Sequence, residues 1–244
     1  MVSAGVFATL FEYPGSPVHR AIVDPDTRRA LVGLAMALTA IALIYSPWGQ
    51  RSGAHMNPAV TLTFLRLGKI HKTDALLFIV AQFIGGTLGV LLIAKLLGTA
   101  FTQAPVSYAT TVPGPAGPWI AFAAEVLISL VLIFAVLIVS STPRIARLTG
   151  VVAGCLIATY ITLEAPFSGM SMNPARTFAS AAPALMWQGF WIYLIAPVLG
   201  MLAGAQLFLA LMGRQRVACA KLLHPDDQRC IHCGRQPTHR ESQP

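Results

Sequence analysis

Two asparagines in similar surroundings, Asn57 and Asn173, could bind the oxygen atom of a passing molecule. Each follows Met and precedes Pro-Ala. Asn is a preferred helix N-cap and Pro is favoured at the first helical position, so both steps predict the start of a helix. The side-chain oxygen caps a backbone N–H, which leaves the two amide protons as donors. Each helix start also carries about half a positive charge, so two such ends that meet would repel cations.

A single Asn-Pro cap is common in soluble proteins, but the duplication is informative. The two asparagines lie 116 residues apart. Each Asn-Pro-Ala step follows a long apolar run and precedes a short amphipathic stretch and a further apolar run. This pattern is typical of an internal repeat.

The composition indicates a protein embedded in lipid. Hydrophobic residues make up 55% of the chain and charged residues 11%, and the mean hydropathy is +0.67. A helix of about 20 apolar residues crosses about 30 Å of hydrocarbon. Five runs approach that length, at 30–47, 75–98, 119–141, 148–166 and 190–213. We therefore predict an all-α membrane protein with several spans.

The segments that follow the two Asn-Pro steps, 58–66 and 174–183, are too short to cross a bilayer and suit half-helices. Irregular backbone at membrane depth is tolerated only where it is buried in protein or lines a watery cavity. The half-helices therefore predict a cavity between them. Secondary transporters also contain broken helices, but they need buried titratable pairs that this sequence does not offer.

Basic residues near the ends of the spans predict the orientation. They are Arg51, Arg66, Lys69, Lys72, Arg144, Arg147, Arg214, Arg216 and Lys221. These segments should be cytoplasmic, with the charge-free connection 99–118 outside. The 12–29 loop mixes both signs of charge and weakens the prediction without reversing it. The net charge of +8 then reflects anchoring at an anionic leaflet, and we expect no nucleic-acid partner.

The phrases Ser52–Thr61 and Met172–Phe178 resemble the major intrinsic protein family, the aquaporins and aquaglyceroporins. Further matches are Ala81–Gly86, Glu125 and Ala196-Pro197, and the similarity runs from about residue 30 to 212. The resemblance implies an aquaporin-like fold of six transmembrane helices, the first one shortened, plus two re-entrant half-helices in an inverted repeat. It implies repeats at about 1–98 and 117–213, a pore in each subunit and a homotetramer. Residues 214–244 are polar and contain proline, and this composition predicts a separate cytoplasmic tail.

The resemblance also implies roles by position. Asn57 and Asn173 would be the paired asparagines at the midplane, Arg176 the arginine of the outer constriction, and His55 a histidine of the inner vestibule. Structural support would come from the residues Pro58, Pro174, Gln82 and Glu125. Glu125 is an acid inside a span, where a charge is costly. It would accept hydrogen bonds from the loop that carries Asn173, with a proton relay as the alternative role.

The selectivity filter departs from both main groups of the family. Its four positions fall on Met36 or Ala37, Ile161, Met170 and Arg176. Water-selective relatives usually have an aromatic residue and a His there, and this chain has neither. We predict a passive water channel, with a channel for glycerol or other small neutral solutes as the alternative and a non-conducting scaffold as a third. We expect no enzyme activity or cofactor, and a bacterial-type plasma membrane.

The first apolar segment is about half a span long. It reaches only from Met1 to Phe11, and Glu12-Tyr13-Pro14-Gly15 then begins a loop. We therefore expect the natural start to lie upstream, with Met1 inside the first helix.

Four residues of the polar tail, Cys219, His224, Cys230 and Cys233, have zinc-type spacing, with His232 and His239 nearby. A single Cys-x2-Cys is half a zinc site. The sequence favours a disordered tail with free thiols in a reducing compartment, and we assign no metal. Cys155 is expected to be a small core residue of the fifth span.

Overall fold

The computed structural model describes residues 1–213, 216–217, 219–224 and 229–236, and over these ranges it contains helices and no strand. The α-helices are α1 (Val2–Glu12), α2 (Pro17–Ala21), α3 (Pro25–Tyr45), α4 (Pro47–Ser52), α5 (Pro58–Arg66), α6 (Lys72–Leu97), α7 (Thr99–Thr102), α8 (Pro118–Ser140), α9 (Thr149–Leu163), α10 (Ala165–Ser168), α11 (Pro174–Ala184) and α12 (Phe190–Met212). Short 3-10 turns occur at Ser107–Ala109 and Ala146–Leu148.

Five helices of the described chain are long and apolar enough to cross a membrane: α3, α6, α8, α9 with the turn before it, and α12. The five predicted spans are thus confirmed. α1 is a shorter apolar helix of 11 residues. It packs against α3 and α6.

The two predicted half-helices are α5 and α11, and each begins with Pro at its first position. Asn57 caps α5 by accepting the N–H of Ala59 at 2.9 Å. Asn173 caps α11 by accepting the N–H of Ala175 at 3.1 Å and that of Arg176 at 3.2 Å. Local capping chemistry therefore fixes where both half-helices start.

Close backbone contacts hold the long helices together in pairs. A Cβ atom added to Gly200 of α12 would lie 2.3 Å from the carbonyl oxygen of Val126 in α8, and one added to Gly33 of α3 would lie 2.8 Å from that of Ala158 in α9. Because lipid tails are as apolar as the helix surfaces, the hydrophobic effect does not drive helices together in a membrane. Helix association there depends on van der Waals packing, which small residues at the interface allow. These contacts make α8–α12 and α3–α9 the tightest pairs of the bundle.

The outer surface of α6 is apolar, as a surface facing lipid requires. Its exposed leucines are Leu76, Leu77, Leu88, Leu91, Leu92 and Leu96. The polar segment between α1 and α3, which contains both acidic and basic residues, is held in place by an ion pair and by hydrogen bonds from Arg28. Arg28 is buried, lies 3.4 Å from Glu12 and donates to the carbonyls of Ile22 and Val23.

The described parts of the tail pack against the rest of the chain. Val217, Ala220 and Leu222 are buried in one hydrophobic cluster with Ala59 and Phe64 of α5. Arg214 and His239 lie outside the described residues. One expectation from the sequence is wrong: Cys155 is exposed on the surface of α9, because the buried face of that helix is formed by Thr149, Gly150, Ala153 and Gly154.

Candidate pore

A cavity of about 700 Å³ lies where the two half-helices meet. Eight of the residues singled out in the sequence line it: Met36, His55, Asn57, Gln82, Ile161, Met170, Asn173 and Arg176. The other three residues predicted as structural support, Pro58, Pro174 and Glu125, are buried. The fold therefore brings residues from both repeats to one chamber.

The two asparagines are joined crosswise through the backbone of the opposite loop. Nδ2 of Asn57 donates to the carbonyl oxygen of Met172 at 2.6 Å, and Nδ2 of Asn173 donates to that of Met56 at 2.8 Å. The sequence suggested that both amide protons of each side chain stay available for a solute. That expectation is wrong, because one proton of each amide is used in the cross-repeat bond. Each amide keeps one donor for a molecule in the cavity.

Glu125 of α8 supports the loop that precedes Asn173. Its Oε1 accepts the N–H of Ser171 at 2.6 Å and the hydroxyl of Ser168 at 2.9 Å, and its Oε2 accepts the N–H of Met172 at 2.7 Å. Met170 and Met172 have φ values of 50° and 52°. Left-handed backbone is costly for residues other than glycine and persists only where its surroundings enforce it. The carboxylate supplies part of that constraint.

Two further polar side chains lie next to this loop, and the sequence analysis assigned them no role there. The hydroxyl of Tyr193 in α12 donates to the carbonyl oxygen of Ser168 at 2.6 Å. Glu164, which follows the end of α9, has both carboxylate oxygens buried, and its carboxylate lies next to the hydroxyl of Ser168 in the same loop. Glu164 could have been found from the sequence, because it is an acid within the apolar run 148–166, just as Glu125 is an acid within the run 119–141.

The structure separates the two candidates for the first filter position. Ala37 is 4% exposed and packs towards α9, where its carbonyl oxygen lies 3.1 Å from a Cβ atom placed on Gly154. Met36 instead lines the cavity. The filter positions that line the cavity are therefore three apolar side chains and Arg176.

Among the four residues predicted for the filter that line the cavity, Arg176 carries a charge. Its Nη1 is buried and has no hydrogen-bond partner among the described residues. A guanidinium is always charged and presents five donors. An unpartnered donor of this kind in the wall of the cavity can bind the oxygen of a neutral molecule.

His55 lies on the other side of the asparagines, in the loop before α5. Gln82 of α6 donates to its carbonyl oxygen at 2.5 Å and to the hydroxyl of Thr61 at 3.1 Å. The His55 ring stacks on Phe64 with centroids 5.1 Å apart. Its Nε2 lies 2.8 Å from the carbonyl oxygen of Ala220 in the tail, so the tail contacts this end of the cavity. We call the end lined by Ser52, His55 and Leu222 the tail-side mouth.

A family model described as Major intrinsic protein matches residues 4–208. The chain belongs to the major intrinsic protein family. The two relatives described next carry the name aquaporin, and aquaporins are channels and not enzymes. A probable aquaporin of NIP type from Nicotiana alata is 35% identical over 206 residues, which cover 84% of this chain and 73% of the relative. Aquaporin NIP2-3 from Zea mays is 33% identical over 210 residues, which cover 84% of this chain and 66% of the relative.

The fold of this major intrinsic protein is shared with a solved structure. The aquaglyceroporin from Plasmodium falciparum superposes with a TM-score of 0.68 at 20% identity, covering 88% of this chain and 93% of that one. The aquaporin-like fold predicted from the sequence is therefore confirmed. The two sequence relatives come from plants, so they lend no support to the narrower expectation of a bacterial-type protein.

Proposed function

We propose that this protein is a passive transmembrane channel for water. The observation that carries the proposal is the meeting of two capped helix starts, each with one remaining amide donor, in the wall of a single cavity. Each donor would bind the oxygen of one water molecule in passing. A water that accepts from both asparagines has its protons turned away from its neighbours at that point, so it cannot relay a proton along the file.

Arg176 would provide the second barrier to ions. Its charge lies on the first turn of α11, next to a helix start that already carries partial positive charge. The corresponding residue of the first repeat, three positions after Asn57, is Val60. The barrier to cations would therefore be concentrated on one side of the asparagines.

A channel for glycerol or other small neutral solutes is the second candidate, and the filter favours it specifically. Met36, Ile161 and Met170 supply no polar group besides their backbone. An apolar wall opposite Arg176 suits a solute with both carbon and hydroxyl groups. One of the similar structures is named an aquaglyceroporin, which agrees with this candidate.

Several properties beyond conduction are part of the same proposal. We propose a plasma membrane of bacterial type with the C-terminus in the cytoplasm, because the basic residues named in the sequence analysis flank span ends that the positive-inside rule assigns to the cytoplasm. We also propose a homotetramer with one pore in each subunit. The exposed leucines of α6 suit either lipid or a neighbouring subunit.

Stopped-flow light scattering on proteoliposomes that contain the full chain tests the function. An impermeant osmolyte reports water flux, and an iso-osmotic glycerol gradient reports solute flux. A water channel gives fast shrinkage that does not saturate and needs no ion gradient. Flux of both supports the second candidate, and saturable, ion-dependent uptake would replace both with a transporter.

A blocking variant ties the flux to this cavity. Val60 lines the cavity, and Val60→Trp should fill it and abolish water flux. Leu96 lies on the outer surface of α6 and is 67% exposed, so Leu96→Trp is the matched control and should conduct normally. Equal flux through the two variants would show that water takes another path.

A further inference from the structure

The tail contains a cluster of four metal-type ligands that the pore does not use. These are the side chains of Cys219, His224, Cys230 and Cys233, and their ligand atoms all lie within 4.8 Å of one another. Sγ of Cys219 is 3.4 Å from Sγ of Cys230, and Nε2 of His224 is 3.3 Å from Sγ of Cys233. All the cysteines of the described chain are free thiols.

These distances fit tetrahedral coordination of one metal ion by the four side chains. A Zn–S bond of about 2.3 Å places the ligand atoms of a regular tetrahedron about 3.8 Å apart, close to the separations observed. Three thiols and one imidazole form a Cys3His set, which is a structural zinc set with no position left open for catalysis. Soft sulfur ligands also disfavour Mg²⁺ and Ca²⁺.

The backbone around Cys230 and Cys233 is folded to present both sulfurs to one point. The N–H of Gly234 donates to the carbonyl oxygen of Cys230 at 3.1 Å, and the N–H of Cys230 donates to that of Arg235 at 3.0 Å. Gly234 has a φ of 72°, in the left-handed region that glycine adopts at no steric cost. The turn is therefore closed by its own hydrogen bonds.

The same two parts of the tail contact the tail-side mouth. The N–H of Leu222 donates to the carbonyl oxygen of Gly53 at 3.3 Å, and Leu222 itself lines the cavity. His232, which lies between Cys230 and Cys233, places Nε2 3.1 Å from the carbonyl oxygen of Ser52. Its ring also stacks with that of His55, with centroids 6.1 Å apart.

The ligands and the mouth contacts alternate along the chain, so the ion and the mouth are mechanically connected. Cys219 precedes Ala220, whose carbonyl oxygen accepts from His55, and His224 follows Leu222 by two residues. An ion bound by all four ligands would join residues 219–224 to residues 230–233. Both parts would then be held against Ser52, Gly53 and His55 together.

We propose that Cys219, His224, Cys230 and Cys233 bind a Zn²⁺ ion, and that the bound ion holds the tail over the tail-side mouth and so lowers permeation. The effect on permeation rests on the channel function proposed above. The metal site does not, because it is defined by ligand geometry alone. Zinc would act as a reversible closing ligand for the channel.

Metal content of the purified full chain tests the site. Protein prepared under reducing conditions, stripped with a chelator and reloaded should bind one Zn²⁺ per chain. Co²⁺ in its place should give the absorption of a tetrahedral thiolate site. The double variant Cys230→Ser, Cys233→Ser should lose both signals. Cys155→Ser, which changes an exposed cysteine outside the cluster, should keep both. Absence of bound metal, or a Cys219–Cys230 disulfide in its place, would overturn the site.

Water flux and amide exchange test the closure. Zinc should lower water flux about fivefold, the low end of usual coupling between two sites, in the unmodified chain and in Cys155→Ser. His232→Ala should still bind zinc but lose most of this response, because it breaks a contact with the mouth and no metal ligand. Unchanged flux in a conducting, zinc-loaded channel would refute closure.

A chain that conducts no water in any metal state would count against the proposed function and not against the metal site. In that case hydrogen exchange decides the closure. Zinc should slow the exchange of amides at residues 219–224 and 52–56. If zinc is bound and these amides exchange as fast as before, the ion does not hold the tail on the mouth.

Discussion

Oε2 of Glu125 accepts the backbone N–H of Met172 at 2.7 Å, although the two residues lie 47 positions apart in the chain. The carbonyl oxygen of Met172 in turn accepts the amide of Asn57. A carboxylate in α8 of the second repeat is thus connected, through one residue, to the asparagine of the first repeat.

We predict that Glu125→Gln destabilises the chain. A Gln can accept the bonds from Ser168 and Ser171 through its oxygen, but it would present an NH2 group to the N–H of Met172. Leaving a buried donor without its acceptor costs about 1–3 kcal/mol. The thermal transition in detergent should fall, and water flux should fall with it. Glu164→Gln is the control, since that carboxylate accepts no backbone N–H of the loop among the described residues. A similar loss of stability from both variants would contradict the prediction.

We predict that Arg176→Val admits cations while water flux persists. The substitution gives α11 the residue that α5 already has at Val60, so a helix of this kind accepts it. The fixed positive charge in the cavity wall disappears. Proteoliposomes that contain a pH-sensitive dye should show a proton leak that the unmodified chain lacks. Arg176→Lys keeps the charge but not the planar fork of donors, so its proton leak should be smaller than that of Arg176→Val. An equal leak in the two variants would mean that the helix ends, and not the charge of Arg176, form the barrier.

We predict different outcomes for two replacements of Asn57. Asn57→Asp keeps an oxygen to cap Ala59 but loses the donor to Met172 and places negative charge at the crossing. It should fold and admit cations. Asn57→Ala also loses the cap, which typically costs about 1 kcal/mol, so its thermal transition should lie lower than that of the Asp variant. The order of the two transitions, measured in the same detergent, checks the assignment.

We predict that a narrower, more polar filter separates the two candidate permeants. Met36→Phe combined with Ile161→His introduces the aromatic and imidazole groups that the sequence lacks. Glycerol flux should fall more than water flux, because the added bulk excludes the larger molecule first. Ala37→Val, at the buried neighbour that faces α9, should alter stability and leave the flux ratio unchanged. A change in that ratio would mean that Ala37 also faces the pore.

We predict that Gly200→Ala disrupts the α8–α12 pair. The new methyl group would lie 2.3 Å from the carbonyl oxygen of Val126, which is backbone and cannot rotate away. Overpacking of this kind costs about 1–3 kcal/mol. Gly85→Ala in α6 is the matched control, because nothing lies within 4 Å of its added Cβ. Thermal unfolding in detergent should distinguish the two variants.

The spans and half-helices could be predicted because local chemistry decides them. The apolar length determines α6, α8 and α12, and an Asn-Pro cap determines where α5 and α11 begin. The choice between Met36 and Ala37 could not be made from the sequence, since it depends on how α3 is rotated against α9. The hydrogen bonds that occupy one amide proton of each asparagine could not be predicted from the sequence either, because the acceptors lie 115 and 117 residues away along the chain.

The tail was the least predictable part of the chain. Its polar composition has no hydrophobic period, so nothing in the sequence indicated that Ala220 and Leu222 are buried against α5. In the sequence, Cys230 and Cys233 form only half a zinc site, because spacing along the chain does not show how close Cys219 and His224 come to them. Only the folded chain brings the four ligands together.

The crosswise bonds of Asn57 and Asn173 bear on how the two halves of the chain enter a membrane. Each repeat offers one amide and one carbonyl group that only an oppositely oriented copy can satisfy. A single repeat in the membrane would leave its amide and its carbonyl group without these hydrogen-bond partners. Two copies with the same orientation could not form the crosswise bonds either. Fusion of the halves in one polypeptide guarantees an antiparallel partner at every insertion.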